Sequence, residues 1–335
     1  MSRLVIDNVG PATSVQDGGR HGAQRYGLTP SGAMDRLSLA AANVLVGNTP
    51  FAAAIELGPL GATFTARDGA LRLALTGAER PAAIDGKAIL LNESFLLGEG
   101  KTLTLGIARS QVFSYLAIAR SIEGEPMFGS LAVNARAGLG SPYPRALQAG
   151  DVIPAQSAAP GDERRLDPPK LADDPIRVVL GPQDDEFGDA VATFVDGEWK
   201  ISATSDRMGY RLEGPAIRHL HGHNIVSDGT VDGSIQVPGN GQPIVLMSDR
   251  GTSGGYPKIA TVITADLGRL AQRQPGKPFR FAAVSMDEAQ AAYRAMAKLI
   301  RTLPDRLQEA RHVTLDLDAL ATANVAGAAV DALDG

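Results

Sequence analysis

From residue 54 to residue 118 the apolar pattern runs at a period of two. Ala54-Ile55-Glu56-Leu57, Ala62-Thr63-Phe64-Thr65, Leu71-Arg72-Leu73-Ala74-Leu75 and Ala82-Ala83-Ile84 each have the length of a short strand. Ser94-Phe95-Leu96-Leu97, Thr102-Leu103-Thr104-Leu105 and residues 112–118 continue the series. Gly58-Pro59, Asp68-Gly69, Asp85-Gly86 and Glu99-Gly100 separate them with the residues that tight turns require. Strands this short, with little helix between them, predict an antiparallel sheet that is closed or sandwiched to hide its edges. The expected class is mainly β with a few helices.

The rest of the chain is read around that block. The first strand pattern starts at Arg3-Leu4-Val5-Ile6, and a polar stretch from Gly10 to Gly22 reads as a long loop of the kind that binds something or packs on itself. Residues 36–46 carry helical spacing (Leu37, Ala40 or Ala41, Val44), with Asp35 as N-cap, Gly47 just past the end and Pro50 beyond. Pro160, Pro168, Pro169 and Pro175 among charges mark residues 155–175 as a linker. The expected division is therefore a β-rich unit over 1–154, a second β unit over 176–285, a helix over 286–310 and a weakly ordered alanine-rich tail over 311–335. Ser285-Met286-Asp287-Glu288 forms a capping box for that helix, whose apolar stripe is Ala289, Tyr293, Met296 and Ile300.

Composition narrows function by exclusion. At 335 residues, with 44% apolar and 21% charged residues, the chain is globular in type and long enough for two cores. The net charge of −5 argues against a nucleic-acid partner. No apolar run is long enough to span a membrane, and the N-terminus lacks the apolar core of a signal peptide, so a cytoplasmic location is expected. With no cysteine, disulfides, thiolate metal sites and cysteine nucleophiles are all excluded. Gly98-Glu99-Gly100-Lys101-Thr102 imitates the end of a phosphate-binding loop. However, Phe95 stands where a glycine is needed, and a strand rather than a helix follows. His219, His221 and His223 alternate as strand ligands could, but no acidic ligand spacing accompanies them, so an exposed polar turn and no metal is the expectation.

Two stretches concentrate chemistry. Residues 236–258 place the turns Pro238-Gly239-Asn240-Gly241 and Gly251-Thr252-Ser253-Gly254-Gly255 on either side of one strand, 244–247. Asp249-Arg250 leads into the second turn, and Tyr256 and Lys258 follow it. Glycine loops let backbone N–H groups approach a ligand, so this reads as a site, with a plain inter-strand loop as the alternative. Ser205-Asp206-Arg207-Met208-Gly209-Tyr210-Arg211-Leu212 gathers an acid, two guanidinium groups and a phenol. The group suits a small anionic substrate or a surface ion-pair cluster.

Four blocks jointly carry a resemblance: residues 13–22 (TSVQDGGRHG), 31–36 (SGAMDR), 205–212 (SDRMGYRL) and the 236–258 stretch. The chain resembles the allophanate hydrolase subunit 2, or biotin-dependent carboxyltransferase, family over about residues 3–285. Within it the likeness is to the branch formed by the C subunits of bacterial ATP-dependent 5-oxoprolinase. Gly251 and Ser253 depart from the bulkier polar residue and threonine more often found there, which bears on substrate identity. The resemblance implies cyclophilin-like β-barrels in both units. It also implies a complex with two partners, a 5-oxoprolinase B subunit of the allophanate hydrolase subunit 1 family and an A subunit of the LamB/YcsF family. That complex opens 5-oxo-L-proline to L-glutamate, with ATP bound on a partner and no cofactor on this chain alone.

Opening a lactam requires a polarised carbonyl and a stabilised oxyanion. The expected site uses the 251–255 backbone and Lys258 for that field, Asp249 and Tyr256 to orient substrate, and Arg207 with Arg20 for its carboxylate or a phosphate. Gln16, Asp17, His21, Asp35, Asp206, Arg211, Gln236, Thr252, Gly254 and Gly255 complete the expected binding wall for a small amide or ureido substrate. Two other readings stay open. One is a carboxyltransferase component of a urea or allophanate system, which needs a biotinylated partner because no Met-Lys acceptor motif occurs here. The other is a non-catalytic partner of a kinase-inhibitor protein.

Overall fold

The computed structural model describes residues 2–158, 161–167 and 174–310; the expected tail and part of the expected linker lie outside the described residues. The chain is mainly β. The first unit is two antiparallel sheets laid face to face. One runs in the order 152–155, 2–9, 62–67, 102–105, 82–84, 87–88, and the other 14–16, 54–57, 114–118, 71–77, 94–97. Leu4, Ile6, Phe64 and Leu103 from the first sheet meet Ile55, Leu73 and Leu116 from the second in one fully buried core. This is the arrangement that period-two strands with one apolar face require. Ser14–Gln16 corrects the reading of residues 10–22 as an irregular loop, because it pairs with Ala54–Glu56. Three residues are too few to display alternation.

The five-stranded sheet is covered on its second face as well. Helix α1 (Arg36–Leu45) lies there, with Asp35 accepting from the N–H groups of Leu37 and Ser38 at 3.1 Å each, and Gly47 at φ +79° beyond its end. The second unit covers the remainder, so Ala54, Tyr115 and Ala117 share a buried cluster with Trp199, Ile235 and Val245.

That second unit is an eight-stranded sheet in the order 278–279, 199–201, 209–213, 244–246, 234–236, 258–262, 176–180, 281–283. Its two outer strands are halves of one segment on either side of Arg280, so the sheet closes on itself as a barrel with no long free edge. Helix α2 (Ala190–Asp196) plugs it. Phe194 stacks on Phe281 with ring centroids 4.8 Å apart, and its carbonyl accepts from Trp199 Nε1 at 3.0 Å. The short helix α3 (Leu267–Ala271) delivers Gln272 to the first unit. Helix α4 (Met286–Arg301) starts on the Ser285/Glu288 capping box and buries Ile300 beside Val44 and Leu45 of α1. Residues 308–309 then pair with 164–165. Among the described residues no helix is long and apolar enough to cross a membrane.

Candidate functional site

The strand Ile244–Leu246 runs out of the barrel into Met247-Ser248-Asp249-Arg250, and a tight turn (Arg250 N–H to Met247 carbonyl, 3.0 Å) throws the glycine-rich loop outward. Two backbone bonds tie this exit to the neighbouring 206–208 turn: Met247 N–H to the Met208 carbonyl at 3.0 Å and Asp249 N–H to the Arg207 carbonyl at 2.9 Å. A third, from Ser31 N–H to the Ser248 carbonyl at 3.1 Å, ties it to the first unit. Asp206 shapes its turn by accepting from Met208 N–H at 2.8 Å, which aims Arg207 inward.

Arg207 is the hub of the joint between the units. Its Nε and Nη2 grip Asp249 at 2.9 and 3.2 Å, Nη2 also reaches the Gly32 carbonyl at 2.8 Å, and Nη1 binds Glu56. Glu56 lies on the second face of the five-stranded sheet with no solvent exposure. Its other oxygen accepts from Met34 N–H at 2.8 Å and from Tyr115 OH at 2.7 Å. The Tyr115 oxygen in turn accepts from Asp35 N–H at 2.7 Å, and Gln272 Nε2 donates to the Asp35 carboxylate at 2.9 Å. Burial opposes charge on Arg207, but Glu56 and then Asp249 outweigh it and hold its pKa above the ordinary arginine value. Burial, and then the charges of Glu56 and Asp35, push the Tyr115 hydroxyl well up, so it stays a neutral donor.

Beside this hub lies a polar cavity of about 420 Å³, walled by Thr29, Asn134, Arg136 and Leu139 from the first unit and by Met208, Asp249, Arg250, Gly251, Thr252 and Ser253 from the second. Asn134 is set by Nδ2 donating to Ser31 Oγ at 3.1 Å and Oδ1 accepting from Ala137 N–H at 3.0 Å. Arg136 is exposed, and among the described residues its guanidinium bonds only to Met208 Sδ, at 3.1 Å. No acceptor among the described residues takes the backbone N–H of Gly251 or Thr252. The cavity thus offers amide, hydroxyl and backbone donors, one carboxylate and one unpaired guanidinium. Such a set can hold a small carbonyl compound bearing an acid group.

Of the residues singled out in the sequence, Asp249 and Thr252 line this cavity and Arg207 fixes Asp249. Lys258 does not line it. It is buried, and its Nζ donates to Asp228 at 2.6 Å and the Gly229 carbonyl at 3.2 Å. Asp17 uses both oxygens on Gly19 N–H, Ser130 Oγ and Leu131 N–H, each at 2.7 Å, pinning its loop. Gln16 donates to Ser14 Oγ and the Val133 carbonyl, and the buried Arg20 to the Ala132 carbonyl. Burial lowers the Arg20 pKa against the pull of Asp17 and Asp249.

Gly254 makes room for Gln236, since a Cβ there would stand 2.2 Å from Gln236 Nε2. The Gly255 carbonyl accepts from Ile225 N–H at 2.9 Å, Tyr256 is 39% exposed, and Arg211 is exposed on its strand. His21 and Asp35 face a different cleft, on the other side of the Met247–Ser248 exit. His219 Nε2 sits 2.9 Å from the Val237 carbonyl, and no group of three His, Cys, Asp or Glu among the described residues is arranged to hold a metal. Glu56, Tyr115, Asn134, Arg136 and Gln272 are not singled out by the sequence. The one available signal is the nearly unbroken apolar run 112–118, which marks a strand covered on both faces.

Barrel, hub and cavity together place a candidate small-molecule site at the joint between two β units. The chain belongs to the family described as carboxyltransferase domain, subdomain A and B, whose model matches residues 26–283. It is 39% identical over 308 residues to the 5-oxoprolinase C subunit of Escherichia coli, covering 91% of this chain and 98% of that one. It is 35% identical to the Haemophilus influenzae protein of the same name, covering 85% and 92%. Among solved structures it is similar to TTHA0988 (TM-score 0.76, 33% identity), covering 84% of this chain and 56% of that one. It is also similar to the K. lactis urea amidolyase (TM-score 0.82, 26% identity), covering 94% and 20%. The chain therefore spans about half of TTHA0988 and a fifth of the amidolyase.

Proposed function

We propose that this chain is the C subunit of an ATP-dependent 5-oxoprolinase complex that opens 5-oxo-L-proline to L-glutamate in the cytoplasm. The reading is carried by the near full-length match to the E. coli protein, at 98% of that protein's length. Its partners are a B subunit of the allophanate hydrolase subunit 1 family and an A subunit of the LamB/YcsF family, and the nucleotide sits on one of these. The lactam occupies the cavity at the joint, its carbonyl oxygen toward the Gly251 and Thr252 N–H groups and its carboxylate toward Arg136. Arg207 and Lys258, already neutralised by carboxylates, position the walls rather than bind substrate. Asp249, held by Arg207, orients the ring N–H.

The test is ATP- and 5-oxoproline-dependent glutamate release by the reconstituted three-component mixture. Omitting this chain abolishes it, and Arg136→Ala raises KM about tenfold or more, as loss of a charge-assisted contact requires. Release that persists without the chain refutes the proposal. The likeness to the amidolyase over 94% of this chain supports a second reading, transfer of a carboxyl group from a biotinylated partner to urea or a related compound. Inhibition of the complex by avidin favours that reading; indifference to avidin favours the first.

A further inference from the structure

A cleft of about 610 Å³ lies between α1, α4 and the barrel, across the Met247–Ser248 exit from the polar cavity. Its sides are apolar, with Met34, Leu37, Met247, Leu267, Met296 and Leu299 among them. Three of the four aspartates along it are spoken for: Asp35 by Ser38 Oγ and Gln272, Asp232 by Arg250, and Asp266 by Arg177 and Arg269; the fourth, Asp174, is exposed and accepts from Arg269 through its backbone carbonyl. Arg36 differs. Its guanidinium is laid on the Phe51 ring at 4.4 Å, and Nη1 donates to the Gly18 carbonyl at 2.8 Å, which leaves Nε and Nη2 without a partner among the described residues. No ion pair claims it among the described residues, and burial lowers its pKa against the pull of Tyr293, Asp232 and Asp17.

An apolar slot of this size, with one clamped guanidinium holding open donors, matches an amphipathic anion: the stem takes the slot and the head takes the fork. We infer that this cleft is a second ligand site, taking a monocarboxylate with an extended apolar body and anchoring its carboxylate on Arg36. The site is separate from the polar cavity, whose walls suit a compact polar molecule instead. A ligand here lies against Met247 and Ser248, directly before Asp249.

Isothermal titration of the full chain with decanoate tests the inference, with decylammonium as the charge-reversed probe of the same apolar body. Saturable decanoate binding is expected. It weakens about tenfold or more in Arg36→Met, which removes the charged head contact. Ala295→Trp, which fills the slot from an exposed helix position, weakens it similarly. Arg36→Lys keeps the charge but loses the fork and the stacking on Phe51, so it recovers only part of the affinity lost in Arg36→Met. Thermal melts confirm that the variants fold. Failure of decanoate to saturate, equal binding of decylammonium, or undiminished binding to Ala295→Trp overturns the proposal.

Discussion

Replacing Arg207 with methionine removes the one cation shared by Glu56 and Asp249, while the apolar stem still fills the joint. Side-chain exposure is 12% for Arg207, none for Glu56 and 14% for Asp249, so the interior rather than the surface value applies. Breaking a buried pair by deleting one member costs about 3–5 kcal/mol, because the stranded charge is left uncompensated. Here two carboxylates and the Gly32 carbonyl lose their donor together, which places the expected loss toward the upper end of that range. Urea unfolding followed by fluorescence of Trp199, the only tryptophan and a core residue of the barrel, measures it directly.

Glu56→Gln separates loss of the ion pair from simple loss of packing. In the wild-type background it removes a charge-assisted bond and costs about 1.5–3 kcal/mol. In the Arg207→Met background it relieves the repulsion and restores stability. An Arg207→Met deficit below about 1 kcal/mol, the level of an exposed pair, would refute the reasoning. So would Glu56→Gln costing the same in both backgrounds.

Three further outcomes follow from the same geometry. Gly32→Ala puts a Cβ 2.8 Å from the Gly19 nitrogen at φ +84°, so it costs about 2 kcal/mol or more and lowers the melting temperature. Gln272→Leu strips acceptors from the N–H groups of Val112 and Phe113 and a donor from Asp35. It should therefore cost about 2–3 kcal/mol and split the cooperative calorimetric transition, since these bonds cross between the units. Burial works to raise the Asp266 pKa, but its hydrogen bonds to Arg177 prevail and hold it below the ordinary aspartate value. Its contribution is therefore present above about pH 4 and lost as pH falls through the lower folded value. Asp266→Asn flattens the acid limb of a stability–pH curve in that window alone.

Local chemistry wrote much of the fold into the sequence. Period-two runs with Gly and Asp turns become strands because each needs only one apolar face and a permissive corner. Asp35 and the Ser285/Glu288 pair start helices because the first turn's N–H groups lack partners wherever the helix sits. The loop after Asp249 is legible for the same reason: glycines and short polar side chains advertise exposed donors. The joint is not. Alternation with Ile55 and Leu57 inward puts Glu56 on the face expected to meet water, and only the second unit, packed over that face, leaves it fully buried. Its partner Arg207 is 151 residues away, and Gln272 is 237 residues from Asp35. Asn134 and Arg136 sit in an irregular stretch with no periodicity to mark them. Lys258 reads as free beside a glycine loop, whereas Asp228 holds it. Sequence determines what each segment can bury or cap by itself. Which charges face each other is settled by contacts between segments far apart in the chain, and the tertiary structure alone supplies those.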